Sequence, residues 1–360
     1  MSPGVRKPDS KSVTSEQIAS KLKLSPTTVS LVLNGRGQAH RISDRTARRV
    51  LATARRMNYR PNPIARQLAG KRSNAVGVLI NTEAVVDVRI IQWMERRAAD
   101  RGIRFIVGHA IGSRERVRDY LDDFRARGVD GVISVFHNHP DYAAFVQPAL
   151  ARFGNVVYYE KPGVLRRTQA ERACYVEADF REVGRVGVRH LLERGRRRIG
   201  LVMSNLVFPY AVQRHESYRE SLAAAGLDYD ERLVWVLGER TAAGWMDAFT
   251  PDLAQAAVDH LVLDQKVDGI VAVNDAYAAR IMAALRHRGR RVPEDVAVVG
   301  CDNLDISTLV DPPLTTIDLR VEELARAMTS LLFELLDEGT VPADRRAVVI
   351  PPQLVVRASS

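Results

Sequence analysis

The chain has 360 residues, 46% of them hydrophobic and 27% charged. That suffices for an N-terminal module and one or two further domains with real cores, and it excludes a chain disordered by composition. The net charge of +10 is unevenly placed: residues 1–73 hold 16 Lys and Arg against Asp9, Glu16 and Asp44, a net of +13, while the remainder nets −3.

No apolar run reaches the roughly 18 residues of a membrane span. The N-terminus, MSPGVRKPDSKSVTSEQ, has no apolar core of the kind a secretory signal needs. Cys174 and Cys301 lie far apart in apolar sequence and read as inert core thiols of a cytoplasmic protein. The basic excess goes beyond a solvated face and points to a polyanion held through counterion release. A membrane surface would require an amphipathic helix with aromatic anchors, and Tyr59 is the sole aromatic in residues 1–73.

Residues 13–60 read as three short helices. Thr14 with Gln17 makes a capping box, followed by Ile18, Ala19 and Leu22 on one face. Ser25 caps the second helix, with Pro26 at its first position and Val29, Val32 and Leu33 inward; Asn34-Gly35 ends it. The third starts at Ser43 and keeps Ala47, Val50, Leu51, Ala54 and Met57 at helical spacing, with Arg45, Arg48, Arg49, Arg55 and Arg56 outward. Such a trio forms a helix-turn-helix unit. In residues 61–73, Asn62 and Pro63 open a helix of about two turns, too short to stand without a partner.

From Ala75 the pattern changes. The apolar runs AVGVLI, RFIVG, DGVISVF, VVYY, RIGLVM, GIVAV and VAVVG alternate with helical stretches. This predicts parallel sheets with crossover helices, in two Rossmann-like blocks at about 75–175 and 178–316. A last helix near Val321–Leu336 and a closing strand, AVVIPPQLVV, follow. The fold class is therefore α plus α/β.

The segments SPTTVSLVLNG and ISDRTARRVLATARRMNYRPNPIARQLAGKRSNAVGVLI resemble the lactose-repressor (LacI/GalR) family of bacterial transcription regulators. So do RVGVRHLLERGRRRIGLV, GIVAVNDAYAARIMAALRHRGRRVPEDVAVVGCDN, PPLTTI and LVVRASS, in the family's order from Val13 onward. The resemblance implies a helix-turn-helix domain at 13–60, a hinge helix and linker at 61–73, and a two-lobed effector-binding and dimerisation domain at 74–360. That last domain would be of the type I periplasmic-binding-protein kind.

In a helix-turn-helix the first turns of the second helix enter the major groove, so Pro26, Thr27, Thr28 and Leu31 face DNA. In the family the first, second and sixth positions of this helix choose bases, which map to Pro26, Thr27 and Leu31. No bidentate Arg, Asn or Gln stands there. Ser30 and Asn34, with the helix start at Ser25, suit phosphate contacts, although each polar residue could be plain helix surface. Leu68 could pack on Ile64; the resemblance gives it the role of a wedge in the minor groove, beside a close-packed Ala65, with Asn62 and Arg66 reaching phosphate or base edges. Paired hinge helices imply a homodimer on a near-palindromic operator.

Ligands in open α/β sheets sit at the carboxyl ends of strands. The second-lobe ends are Ser204–Tyr210, Asn274-Asp275 and Asp302-Asn303, with Arg214 just beyond the first. In the family the matching arginine, the Asn-Asp pair and the Asp of GCDN commonly bind effector. Carboxylates with an arginine suit a polyhydroxylated, sugar-like ligand, with Phe208, Tyr210 or Trp245 as a stacking wall. Structural alternatives stand beside these: Asp275 and Asp302 as helix caps, Arg214 paired with Glu216 or Asp275. First-lobe candidates are Asp87, Phe136, His137 and Glu160, and Arg240 stands where the family often has an aromatic. The lobes are expected to cross near Val176–Ala178, near Asp311–Ile317 and after Leu336.

His137-Asn138-His139 has metal-like spacing but no third ligand nearby in sequence, so it reads as a polar loop; no metal or cofactor is expected. GxGxxG after a strand, GxxxxGK[ST], GxSxG and HExxH are all missing, which argues against an enzyme. A secreted solute-binding protein would need a signal peptide in place of residues 1–73, and a purely architectural DNA binder would not need the large neutral body. The expected function is a cytoplasmic, nucleoid-associated regulator, most simply a repressor, whose operator affinity a small molecule shifts by preferring one closure state of the lobes.

Overall fold

The computed structural model describes residues 13–33, 37–59, 72–80, 85–110, 113–135, 140–204, 206–237 and 249–360. It divides into two compact units, Met1–Ser73 and Asn74–Ser360.

In the first unit, α1 (Ser15–Leu22), α2 (Pro26–Leu33) and α3 (Asp44–Arg56) start where local capping chemistry sets them. The Thr14 amide donates to Gln17 Oε1 at 3.0 Å, and the Gln17 amide returns a bond to Thr14 Oγ1 at 3.3 Å. Ser25 Oγ accepts from the Thr28 amide at 3.0 Å, and Ser43 Oγ from the Thr46 amide at 3.3 Å. Ile18, Ala19, Val29, Val32, Val50 and Ala54 form the core. Leu51 departs from the expected apolar row: it is 42% exposed, while Thr53 is buried. The buried stripe of α3 runs through Val50, Thr53 and Ala54, and Leu51 falls on its flank.

The second unit contains two six-stranded sheets. The first joins β1 (Ala75–Ile80), β2 (Arg104–His109), β3 (Gly131–Val135), β4 (Val156–Tyr159), β5 (Cys174–Ala178) and β11 (Ala347–Ile350), in the order β11-β5-β4-β3-β1-β2. The second joins β6 (Ile199–Met203), β7 (Val234–Val236), β8 (Gly269–Ala272), β9 (Ala297–Cys301), β10 (Thr315–Asp318) and β12 (Gln353–Val355), in the order β12-β10-β9-β8-β6-β7. All pairings are parallel except that of β12 with β10. Crossover helices bury one face each against these sheets, as parallel pairing requires. Both cysteines are buried and free.

The chain passes between the lobes three times. The first passage leads from β5 into the helix Phe180–Glu193, as expected. The second lies beyond Asp318 and not within Asp311–Ile317, because Thr315–Ile317 still pair with Val299–Cys301. Helix Val321–Glu338 then packs back on the first sheet. The third passage corrects the expectation of one closing strand. AVVIPPQLVV is two strands, Ala347–Ile350 beside β5 and Gln353–Val355 beside β10. Pro351 and Pro352 lack amide donors, so no ladder can run through them.

Helix Phe180–Glu193 lies close against helix Pro209–Ala224 at Gly184, where a Cβ would collide with Ser217 Oγ and the Arg214 carbonyl oxygen. Gly184→Ala should therefore push the two helices apart and destabilise the second unit by about 1–3 kcal/mol. A lowered urea midpoint checks this; an unchanged midpoint would show that the helices slide without strain.

Candidate effector cleft and nucleic-acid interface

In the second lobe, Phe208 and Pro209 start the helix that carries Arg214. Arg214 is 4% exposed. Its Nη1 donates to the Val273 carbonyl at 2.9 Å, at the carboxyl end of β8. Its Nη2 is buried and has no hydrogen-bond partner among the described residues. The ion pairs considered for it do not form: Glu216 pairs with Arg181 at 2.8 Å, and the Asp275 carboxylate is bound elsewhere.

Asn274 caps helix Asp275–His287, its Oδ1 accepting from the Tyr277 amide at 2.9 Å. Asp275 is fully buried and is not a cap. Its Oδ2 accepts from the Leu304 amide at 2.7 Å and its Oδ1 from Thr316 Oγ1 at 2.5 Å. Gly300 makes room for it, since a Cβ there would collide with Asp275 Oδ1. Burial raises this carboxyl to about 6, against the pull of those two hydrogen bonds.

Asp302 is not a cap either. It follows β9 with φ of 98°, a left-handed conformation costly for a side-chain-bearing residue, and its amide donates to the Ile317 carbonyl at 2.8 Å. Burial lifts its carboxyl to about 7; the Asp275 and Asp87 charges add to the lift and Arg214 opposes it.

The next residue joins the lobes. Asn303 Nδ2 donates to Asp318 Oδ2 at 2.9 Å, and its Oδ1 accepts from Arg357 Nη2 at 2.8 Å. Its carbonyl accepts from Arg89 Nη1 at 3.2 Å. Arg89 belongs to the first-lobe helix Val85–Asp100, whose first turn carries the buried Asp87. Glu160, also buried, follows β4 with φ of 69°. Between them Tyr159 is buried, its hydroxyl held far above its usual range by burial and by the charges of Asp87, Glu160 and Asp302. The Phe208 and Tyr210 rings stack at 5.4 Å, with Phe180 5.5 Å from Tyr210.

The structure thus brings Arg214, Asp302, Asp275 and Asp87 into one electrostatic neighbourhood. Sequence reasoning missed Tyr159, Arg89, Asn303 and Arg357; Asn303, next to Asp302, was the one with a local signal. Phe136, His137, Arg240 and Trp245 lie outside the described residues. Among the described residues no three His, Cys, Asp or Glu side chains gather as a metal site, and no helix is long and apolar enough to cross a membrane.

On α2, Ser25, Pro26 and Thr27 are exposed, and Thr28, Ser30 and Leu31 half-buried. Thr28 Oγ1 shares a 2.8 Å hydrogen bond with Ser25 Oγ. Arg45, Arg48, Arg49, Arg55 and Arg56 are exposed on α3. Asn34, Asn62, Ala65, Arg66 and Leu68 lie outside the described residues.

Residues 16–62 match the pattern described as bacterial regulatory proteins, lacI family, and residues 188–360 that of a periplasmic binding protein-like domain. The HTH-type transcriptional regulator CelR of Thermobifida fusca is 31% identical over 358 residues, covering 96% of this chain and 98% of CelR. The chain belongs to the lacI family of bacterial regulatory proteins. It is a transcriptional regulator and not an enzyme. The HTH-type transcriptional repressor PurR of Mannheimia succiniciproducens is 25% identical over 348 residues, covering 96% of this chain and 98% of PurR. Among solved structures, a CelR–cellobiose complex superimposes with a TM-score of 0.68 at 28% identity, covering 97% of this chain and 100% of the other. The lac repressor dimer bound to operator and an anti-inducer shares the fold, with a TM-score of 0.79 at 24% identity over 97% of this chain and 99% of the other.

The raised Asp302 carboxyl gives a pH signature for this lacI-family cleft. Between pH 3.8, the ordinary value, and about 7, the folded protein holds a proton that the unfolded chain has lost. Stability from this group is therefore lost as pH rises through that window and is level above it. Asp302→Asn should gain stability relative to the parent as pH rises from about 4 to 7. Denaturant midpoints of both proteins across that range test this; a constant difference would mean that Asp302 titrates normally.

Proposed function

We propose that this chain is a homodimeric repressor whose affinity for a near-palindromic operator is set by a small sugar-like effector. Residues 13–60 are the DNA-binding domain, 61–73 the hinge helix and linker, and 74–360 the effector-binding and dimerisation domain. The protein acts in the cytoplasm, on the nucleoid. In this reading Pro26, Thr27 and Leu31 meet base edges, while Ser25, Thr28, Ser30 and Asn34 serve the phosphates. Leu68 wedges into the minor groove beside Ala65, with Asn62 and Arg66 at its flanks.

The observation that carries the effector half is Arg214: a buried guanidinium with one nitrogen unpartnered among the described residues, at strand ends, in the neighbourhood of Asp302. Leaving such a donor unmet is costly, so a ligand oxygen there is strongly favoured. Asp302 accepts from a hydroxyl of the same ligand, and Tyr210 and Phe208 offer a ring face. Asn274 and Asp275 act chiefly by holding this geometry; Arg240, Phe136, His137 and Asp87 complete the site. The cellobiose of the CelR complex makes cellobiose the first sugar to try. Arg89, reaching Asn303 from the first lobe, couples the ligand to lobe closure and so to hinge-helix pairing.

A thermal-shift screen of sugars, polyols and sugar acids identifies the effector by its stabilisation of the folded protein. Arg214→Ala should then weaken effector binding about ten- to a hundredfold while leaving ligand-free operator binding unchanged. Leu68→Ala should weaken operator binding far more than non-specific DNA binding, since a wedge acts only where hinge helices form. Operator affinities with and without effector check both. Normal effector affinity in the first variant, or equal losses on both DNAs in the second, refutes the corresponding role.

A further inference from the structure

The cleft is acidic on the side that the first lobe supplies. Asp87 is fully buried in the first turn of helix Val85–Asp100, and Glu160 is 4% exposed after β4. The hydrogen bond from Arg89 to the Asn303 carbonyl brings the turn carrying Asp87 against the turn carrying Asp302. The cations of the region have tasks of their own. Arg89 serves that carbonyl, Arg357 binds Asn303 Oδ1 and the Leu314 carbonyl, and Arg214 binds the Val273 carbonyl. Asp87, Glu160 and Asp302 all act on the same buried Tyr159 hydroxyl.

We propose that the cleft takes a polyhydroxylated ligand free of negative charge, and that Asp87 and Glu160, acting with Asp302, bar sugar acids and phosphorylated sugars. The inference rests on reading the cleft as the effector site. Ionised carboxylates only accept hydrogen bonds, so sugar hydroxyls satisfy them, whereas a carboxylate or phosphate brings no donor and adds like charge. Charge repulsion at short range inside a protein is far stronger than in water, and one guanidinium does not offset several buried acids. The upward displacement of the Asp302 carboxyl fits the same picture, with proton uptake relieving the repulsion in the empty cleft.

The test uses the full-length protein and matched probes: glucose against gluconate and glucose 6-phosphate, and cellobiose against cellobionate. Melting temperature and operator release are read for each. At least one neutral sugar should bind, and its anionic counterparts should bind about tenfold or more weakly. Asp87→Asn and Glu160→Gln, which keep the side-chain shape, should each shrink that gap by raising affinity for the anionic member. An anion that binds as well as its neutral counterpart overturns the proposal, as does silence from both neutral sugars. The parent ranking decides the matter even if a variant fails to fold. Failure of the effector reading itself looks different: operator affinity would then respond to no molecule of the wider screen.

Discussion

A carboxylate shut away from water has to find its donors inside the protein, and the cleft is organised around the one at Asp275. Its two oxygens take the Leu304 amide and the Thr316 hydroxyl, which lie on the loop after β9 and on β10. These bonds fix the loop between them, and so fix Asp302 and Asn303 in left-handed conformations that neither would hold unaided. Gly300 exists as glycine because the carboxylate occupies the volume that a Cβ would need. A residue that looks like a ligand-binding acid thus spends its bonding capacity on geometry.

The turn held in this way has two faces. Asp302 is turned toward Arg214, Asp87 and the cleft, while Asn303 collects bonds from Arg357, Asp318 and, across the lobes, Arg89. Adjacent residues therefore report to the ligand and to the lobe junction. A force on the first is felt by the second through one peptide unit, which is the shortest path coupling could take. Gly184 serves the opposite wall, bringing helix Phe180–Glu193 against the backbone of Arg214.

Much of this was legible in the sequence wherever the determinants are local. Thr14 with Gln17, Ser25 with Pro26, and Ser43 announce three helix starts within a few residues each, and the structure uses all three. The long apolar runs became strands because a parallel strand buried on both faces needs nothing else. The strands CYVEA, VWV and TTID escaped notice because they are short and polar or aromatic in part; only their neighbours make them strands. Arg214 and Asp302 could be picked out as strand-end residues of a familiar pattern. Asp275 could not be assigned its structural task, since its partners lie 29 and 41 residues away. Arg89 and Asn303 stand 214 residues apart, and nothing near either one hints at the other.

The Pro351-Pro352 break has a consequence for how the chain is made. Because the residues on either side of it close different sheets, each lobe is assembled from pieces separated by most of the second unit. The first sheet is missing its edge at β5 until residues 347–350 arrive, and the second its edge at β10 until residues 353–355 do. Neither lobe can therefore be finished while the ribosome is still synthesising the other. Both reach completion within the same last few peptide bonds, and a nascent chain stopped just short of the prolines leaves two open edges at once.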